Sequence, residues 1–132
     1  MSRVAERRLN RESGSAPAEF VMVGALLILV FMAAFQVGFV LFVRNTLISD
    51  ATEGARFGAR ADATAEAGAS RTREMITRGL AGRYAQDVRA EVVNEGGARV
   101  VRVTVVAPLP IVGPFGPAQT LTVSGRAFQE GQ

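Results

Sequence analysis

Among the side chains that could do chemistry, one stands where chemistry is least expected. Glu19 sits at the lip of an uncharged apolar run from Phe20 to Val43. A carboxylate beside hydrocarbon is costly unless it is paired or held at the interface. It lies five residues past Gly14, in the segment Gly14-Ser15-Ala16-Pro17-Ala18-Glu19-Phe20. Taken singly, both residues have ordinary readings: Gly14 as part of a Ser-Gly-Ser hinge, Glu19 as an acid suited to a helix N-terminus. The usual reactive groups are missing. There is no cysteine, so no disulfide or thiolate metal site exists. The absence of histidine removes the commonest general base and the commonest transition-metal ligand. All 15 basic residues are arginine, which excludes lysine Schiff-base chemistry. No acid pair, serine–base arrangement, metal-ligand cluster or phosphate-binding glycine loop can be read. The glycines at 79 and 82, or at 113 and 116, do not sit between a strand and a helix as a nucleotide loop requires. General acid–base work would fall to scattered Asp and Glu or to the lone Tyr84. The expectation is therefore a protein that is not an enzyme, with no catalytic residue, metal site or cofactor.

The elements around Glu19 explain its setting. The run from Phe20 to Val43 has only one strongly polar side chain, Gln36. At about 1.5 Å per residue its roughly 24 residues reach about 36 Å, enough to cross a hydrocarbon core of about 30 Å with some tilt. It is longer than the apolar part of a secretory signal, and Arg44-Asn45-Thr46 does not resemble a cleavage site. A retained membrane helix is the better reading. Arg3, Arg7, Arg8 and Arg11 precede the run, against Arg44 just after it and then none until Arg56. The positive-inside tendency places the N-terminus in the cytoplasm and residues 44–132 outside. With Glu6 and Glu12 counted, the leader carries most of the formal net charge of +3, and the remaining arginines are scattered. Nucleic acid is not an expected partner. Within the run, Ala34 and Gly38 form a small-xxx-small pair with Gln36 nearby, either incidental or a close helix–helix contact across which Gln36 hydrogen-bonds.

Helical spacing continues beyond the membrane. From Arg44 to Ala61 there is no proline, and Leu47, Ala51, Ala55, Gly58 and Ala59 form a narrow stripe of mostly small residues. Gly54 and Gly58 add a GxxxG step on much the same side. The stripe packs either against another subunit or against the chain's own second helix. Asp50, Glu53, Arg56 and Arg60 occupy the polar side, with Glu53 and Arg56 spaced to pair. Residues 61–70 fit a continuing helix or a soft linker. A second helix is predicted over Arg71 to Tyr84, with Ile76, Leu80 and Tyr84 as its apolar line. From Asp87 the period changes to two. Val88-Ala90-Val92, Val101-Val103-Val105 and Leu121-Val123-Ala127 predict three antiparallel strands, with a turn at Asn94-Glu95-Gly96-Gly97. The second helix is expected to cover their apolar face. The Pro-rich segment 107–117 carries Leu109, Ile111, Val112 and Phe115, and either folds over the sheet or offers an apolar contact. The fold class is α+β: a long N-terminal transmembrane and stalk helix, a short second helix and a small three-stranded antiparallel sheet. The expected divisions are a cytoplasmic leader at 1–14, a transmembrane helix with its extension at 15–61, and a small extracytoplasmic domain at 62–132.

Two signatures give the chain a family resemblance. The first is Gly14-Ser15-Ala16-Pro17-Ala18-Glu19-Phe20 followed at once by the apolar helix. The second is Arg44-Asn45-Thr46-Leu47 through Ala51 and Glu53-Gly54-Ala55-Arg56-Phe57-Gly58-Ala59. Over about residues 12–61 the chain resembles the TadE-like pseudopilins of tight-adherence (type IVb) pilus systems. That resemblance implies a prepilin processing site, with cleavage after Gly14, a new N-terminus at Ser15, an acid at the fifth mature position and an aromatic at the sixth. Pro17 departs from the small residue more usual there, but proline is tolerated in a first helical turn. The implied function is that of a minor pseudopilin, processed by a prepilin peptidase. It would be held in the bacterial cytoplasmic membrane and packed by its helix against other pilins or pseudopilins at the assembly platform. It could afterwards reach the cell surface in a pilus. In such assemblies the Glu19 carboxylate would pair with a neighbour's N-terminal amine or its own and set subunit register. The competing reading is a membrane-tethered extracytoplasmic binding module that enters no pilus.

Overall fold

In the computed structural model the backbone is described for residues 2–110 and 119–131, and side chains from residue 14 onward. Element order is α1 (Ser2–Gly58), α2 (Ala65–Gly79), a 3-10 turn (Gly82–Tyr84), β1 (Asp87–Glu95), β2 (Ala98–Pro108) and β3 (Thr120–Phe128). This is an α+β protein with a long apolar helix, a short second helix and one antiparallel sheet. The chain divides into two units, Met1–Val37 and Gly38–Gln132.

In the first unit the described residues all belong to the N-terminal part of α1. Its large apolar side chains face outward, from Phe20 at 80% exposure through Leu29 and Phe35 to Val37. Among the described residues α1 is the one helix long and apolar enough to cross a membrane, over Gly14–Gly58. The helical hydrogen bonds satisfy the backbone internally, which is the condition for a segment to sit in lipid.

The second unit has a sheet in the order β1-β2-β3. A two-residue turn joins β1 to β2, where Gly96 and Gly97 take φ of 60° and 85°. Both positions need positive φ in the tight hairpin turn, and glycine supplies it without a Cβ clash. The register stacks Val88 on Val105, Ala90 on Val103 and Val92 on Val101. On the other side of β2, Val103 meets Gly125 and Val105 meets Val123. This alternation sends one set of valines into the core, with Val101, Val103 and Val105 fully buried. The opposite face is charged. Arg102 and Arg126 lie directly across from each other. Glu95 relieves that like-charge pairing, at 2.6 Å from Arg102 and 3.2 Å from Arg126.

The core joins three sources: Val43, Leu47, Ala51, Ala55 and Ala59 of α1, Ala69 and Ile76 of α2, and the inward valines of the sheet. The apolar face is thus covered by α1 as well as by the expected second helix. Gly125 marks the closest approach, since a Cβ there would fall on the backbone of Ala51 and Thr52. On the other side of the stripe Gly54, Gly58 and Gly68 bring α1 and α2 together. A Cβ on Gly58 would lie 3.1 Å from the Cα of Gly68, and one on Gly68 would lie 2.5 Å from the carbonyl oxygen of Gly54. Arg73 ties α2 to β1, donating to the Val88 carbonyl at 2.7 Å.

Three boundaries differ from the sequence reading. α1 ends at Gly58 rather than near Ala61, and the Ala59 carbonyl accepts from the Glu130 amide at 2.7 Å. α2 begins at Ala65, six residues earlier than the spacing predicts, because Thr64 caps it: its hydroxyl accepts from the Ala67 amide at 3.1 Å. It stops at Gly79, and Tyr84 belongs to the separate 3-10 turn. Of the Pro-rich segment, Pro110 is buried and the Leu109 amide donates to the Gln119 carbonyl at 3.1 Å, while residues 111–118 lie outside the described residues.

Candidate functional site

The segment around Gly14 is helical. A Cβ added at Gly14 would meet no atom within 4 Å. Gly14, Ser15, Glu19 and Phe20 are all exposed. Among the described residues Glu19 has no ion pair. Lack of space therefore does not account for glycine at 14, nor an internal contact for the acid at 19. Pro17 lies inside α1. There it has no N–H for the carbonyl four residues upstream and its ring crowds that carbonyl, a cost of about 3 kcal/mol in a helix interior.

Further along α1 the candidate packing residues fall into two groups. Ala34 is exposed, Gln36 is half-buried, and the space over Gly38 is open. Leu47, Ala51, Gly54, Ala55 and Gly58 are instead buried within their own domain. A Cβ on Gly54 would strike the Thr72 hydroxyl and lie 2.7 Å from the Gly68 carbonyl oxygen. Thr72 is itself fully buried and directs its hydroxyl to that same Gly68 carbonyl at 2.9 Å. Val43, the last residue of the apolar run, is fully buried in this core, with Phe39 packed beside it.

The polar side of α1 is less uniform than its sequence suggests. Glu53 and Arg56 are exposed, and among the described residues they form no ion pair. Asp50 is half-buried, and its Oδ2 is shielded from solvent with no hydrogen-bond partner. Burial pushes its carboxyl above the usual carboxylate range, because desolvation disfavours the charged form.

Among the described residues the groups that could do acid–base work do not converge on one site. Tyr84 is 3% exposed, and its hydroxyl accepts from Arg83 at 2.9 Å. The hollow floored by Val100 and rimmed by Phe128 has a volume of about 120 Å³, and its charged groups, Glu95 and Arg126, are already paired. Among the described residues no group of acids could hold a metal ion.

Residues 14–56 match the family model described as TadE-like protein. No curated protein and no solved structure matches the chain significantly. The matched segment begins at Gly14 and runs through Glu19, Phe20 and the apolar stretch into the buried stripe.

Proposed function

We propose, from the match of residues 14–56 to the TadE-like family model, that the chain is a TadE-like protein of a Tad pilus system and serves as a minor pseudopilin taking part in the assembly or structure of a tight-adherence pilus. A prepilin peptidase trims it after Gly14. The new Ser15 ammonium and the Glu19 carboxylate then form the charged head of the membrane helix. An unpaired carboxylate at the edge of hydrocarbon is penalised, so pairing with an N-terminal amine, its own or a neighbour's, fixes how subunits register. The helix spans the bacterial cytoplasmic membrane once, leader inside and sheet outside, in keeping with the leader's arginines. Lateral contacts with other pilins fall to the open Ala34–Gly38 step, with Gln36 beside it. Because Phe39 and Val43 pack on the domain core, the lipid-facing stretch is about Phe20 to Gly38. That length rises about 28 Å, close to one hydrocarbon thickness.

One observation carries this reading. Within the matched segment, Gly54, Ala55 and Gly58 are accounted for by the chain's own packing, whereas Gly14, Glu19 and Phe20 are exposed and have no packing role inside it. Residues without an internal role are the ones available to a peptidase and to neighbouring subunits. The test is the N-terminal mass of the protein recovered from membranes of cells that hold the matching peptidase. A mature chain beginning at Ser15 is expected. An intact leader in those cells favours a tethered binding module and removes the pseudopilin reading.

A further inference from the structure

A peptidase acts on an extended peptide, yet the Gly14–Ser15 bond lies inside the continuous helix Ser2–Gly58. Some turns of that helix must open before the bond can enter an active site. The residues there are unusual for a helix interior. Gly14 gives up backbone freedom on ordering, and Pro17 both lacks a donor and crowds the preceding turn. Gly14 and Pro17 flank the Ser15-Ala16 pair, so the least favourable helical stretch coincides with the bond to be cut.

We propose that Pro17 is a positioning residue that opens α1 at the Gly14–Ser15 peptide, an inference that rests on the processing reading above. The effect is one-sided. In the precursor, Pro17 is a helix-interior residue and opposes the helical form of residues 13–17. Hydrolysis adds water across the Gly14–Ser15 amide: the C–N bond breaks, Gly14 leaves as a carboxylate and Ser15 takes up a proton as an ammonium. Pro17 is then the third residue of the mature chain. First-turn amides have no intrahelical acceptor, so its missing N–H is no longer a loss. The residue that weakens the precursor helix is thereby harmless in the product, and the mature helix begins at the position cut.

The test follows trimming of the full-length chain in membranes with its prepilin peptidase, by time course and mass. Pro17→Ala restores a good helix former and is expected to slow trimming about tenfold or more, with the melting temperature of the mature product unchanged. Pro17→Gly keeps the helix weak without the ring and is expected to recover most of the parent rate. Trimming of Pro17→Ala at the parent rate overturns the inference. So does a Pro17→Gly chain as slow as Pro17→Ala, since the peptidase would then be reading the ring itself. Gly14→Val in the same time course separates the two levels. If it is trimmed like the parent, the processing reading fails; if it is blocked while Pro17→Ala is normal, only the helix-opening role falls.

Discussion

One helix carries two small-residue steps with different fates. Gly54 and Gly58 lie against Gly68, so closely that a Cβ on any of the three would crowd a neighbour's backbone or side chain. Ala34 and Gly38 have the same spacing, yet Ala34 is exposed and the space over Gly38 is open. Small residues four apart say that a backbone can come close. They do not say whose backbone it is. What differs is the chain that follows. Past Gly58 comes a turn and then α2, which presents Gly68, Ala69 and Thr72 to the core. In the pseudopilin reading proposed above, the exposed step is the one open to a neighbouring helix.

The sharpest way to break this contrast is to fill the buried step. Gly54→Leu drives a side chain into Thr72 and the Gly68 carbonyl, which α2 can avoid only by moving off α1. The expected loss is about 3 kcal/mol or more, from overpacking and from the core contacts that separate with it. Thermal denaturation of the detergent-solubilised protein would show it. A melting temperature within about 2 °C of the parent would mean that the α1–α2 contact does not hold the domain together.

The two acids of α1 form a second contrast, and a smaller effect tests it. Glu19 is exposed, whereas Asp50 has a buried oxygen without a partner and a raised pKa caused by desolvation. The folded state holds the Asp50 proton more tightly than the unfolded state does. Stability from this group is therefore fully present below the ordinary carboxylate pKa and is lost as pH rises through the higher folded value. At neutral pH the ionised side chain works against the fold. Asp50→Asn is expected to gain about 1 kcal/mol at pH 7. That advantage should fade in acid, as the parent becomes protonated. Denaturant melts at pH 7 and pH 3 check it, and an equal difference at both would assign the change to something other than charge.

Much of this was legible in the residues, and what was not has physical reasons. Alternating valines and the Gly96-Gly97 turn define the strands because period two and positive φ are local properties. The apolar run was legible from its length alone. The start of α2 is hard to read because the Ala-rich segment 61–70 carries little periodicity, although Thr64 followed by Glu66 is a helix-start signal. That α1 covers the sheet at this point depends on Gly125 meeting Ala51 and Thr52 across more than seventy residues, which no local spacing displays. A glycine inside a strand is a known mark of close backbone approach, but only the folded chain names its partner. The site has the same division. Gly14, Glu19 and Phe20 stand out as candidates by their spacing, whereas the buried oxygen of Asp50 shows only in the folded chain.

The smallest expected effect on folding completes the comparison. Gly38→Leu adds a large side chain to the open step, where an added Cβ meets nothing within 4 Å. With no internal neighbour to displace, stability should change by less than about 0.5 kcal/mol, as for a substitution away from packed features. A glycine removed from a helix interior also offsets any small loss. If Ala34 and Gly38 serve a lateral partner, the same variant should fold, insert and be trimmed normally while its crosslinking to other pilus subunits falls. A loss of stability comparable to that of Gly54→Leu would show that the upstream step is also an internal contact. Unchanged crosslinking in a stable Gly38→Leu chain would move the subunit contact to another face of the helix. The pairing of Gly54→Leu with Gly38→Leu thus separates a glycine that the fold requires from one that it leaves available, using the same substitution on the same helix.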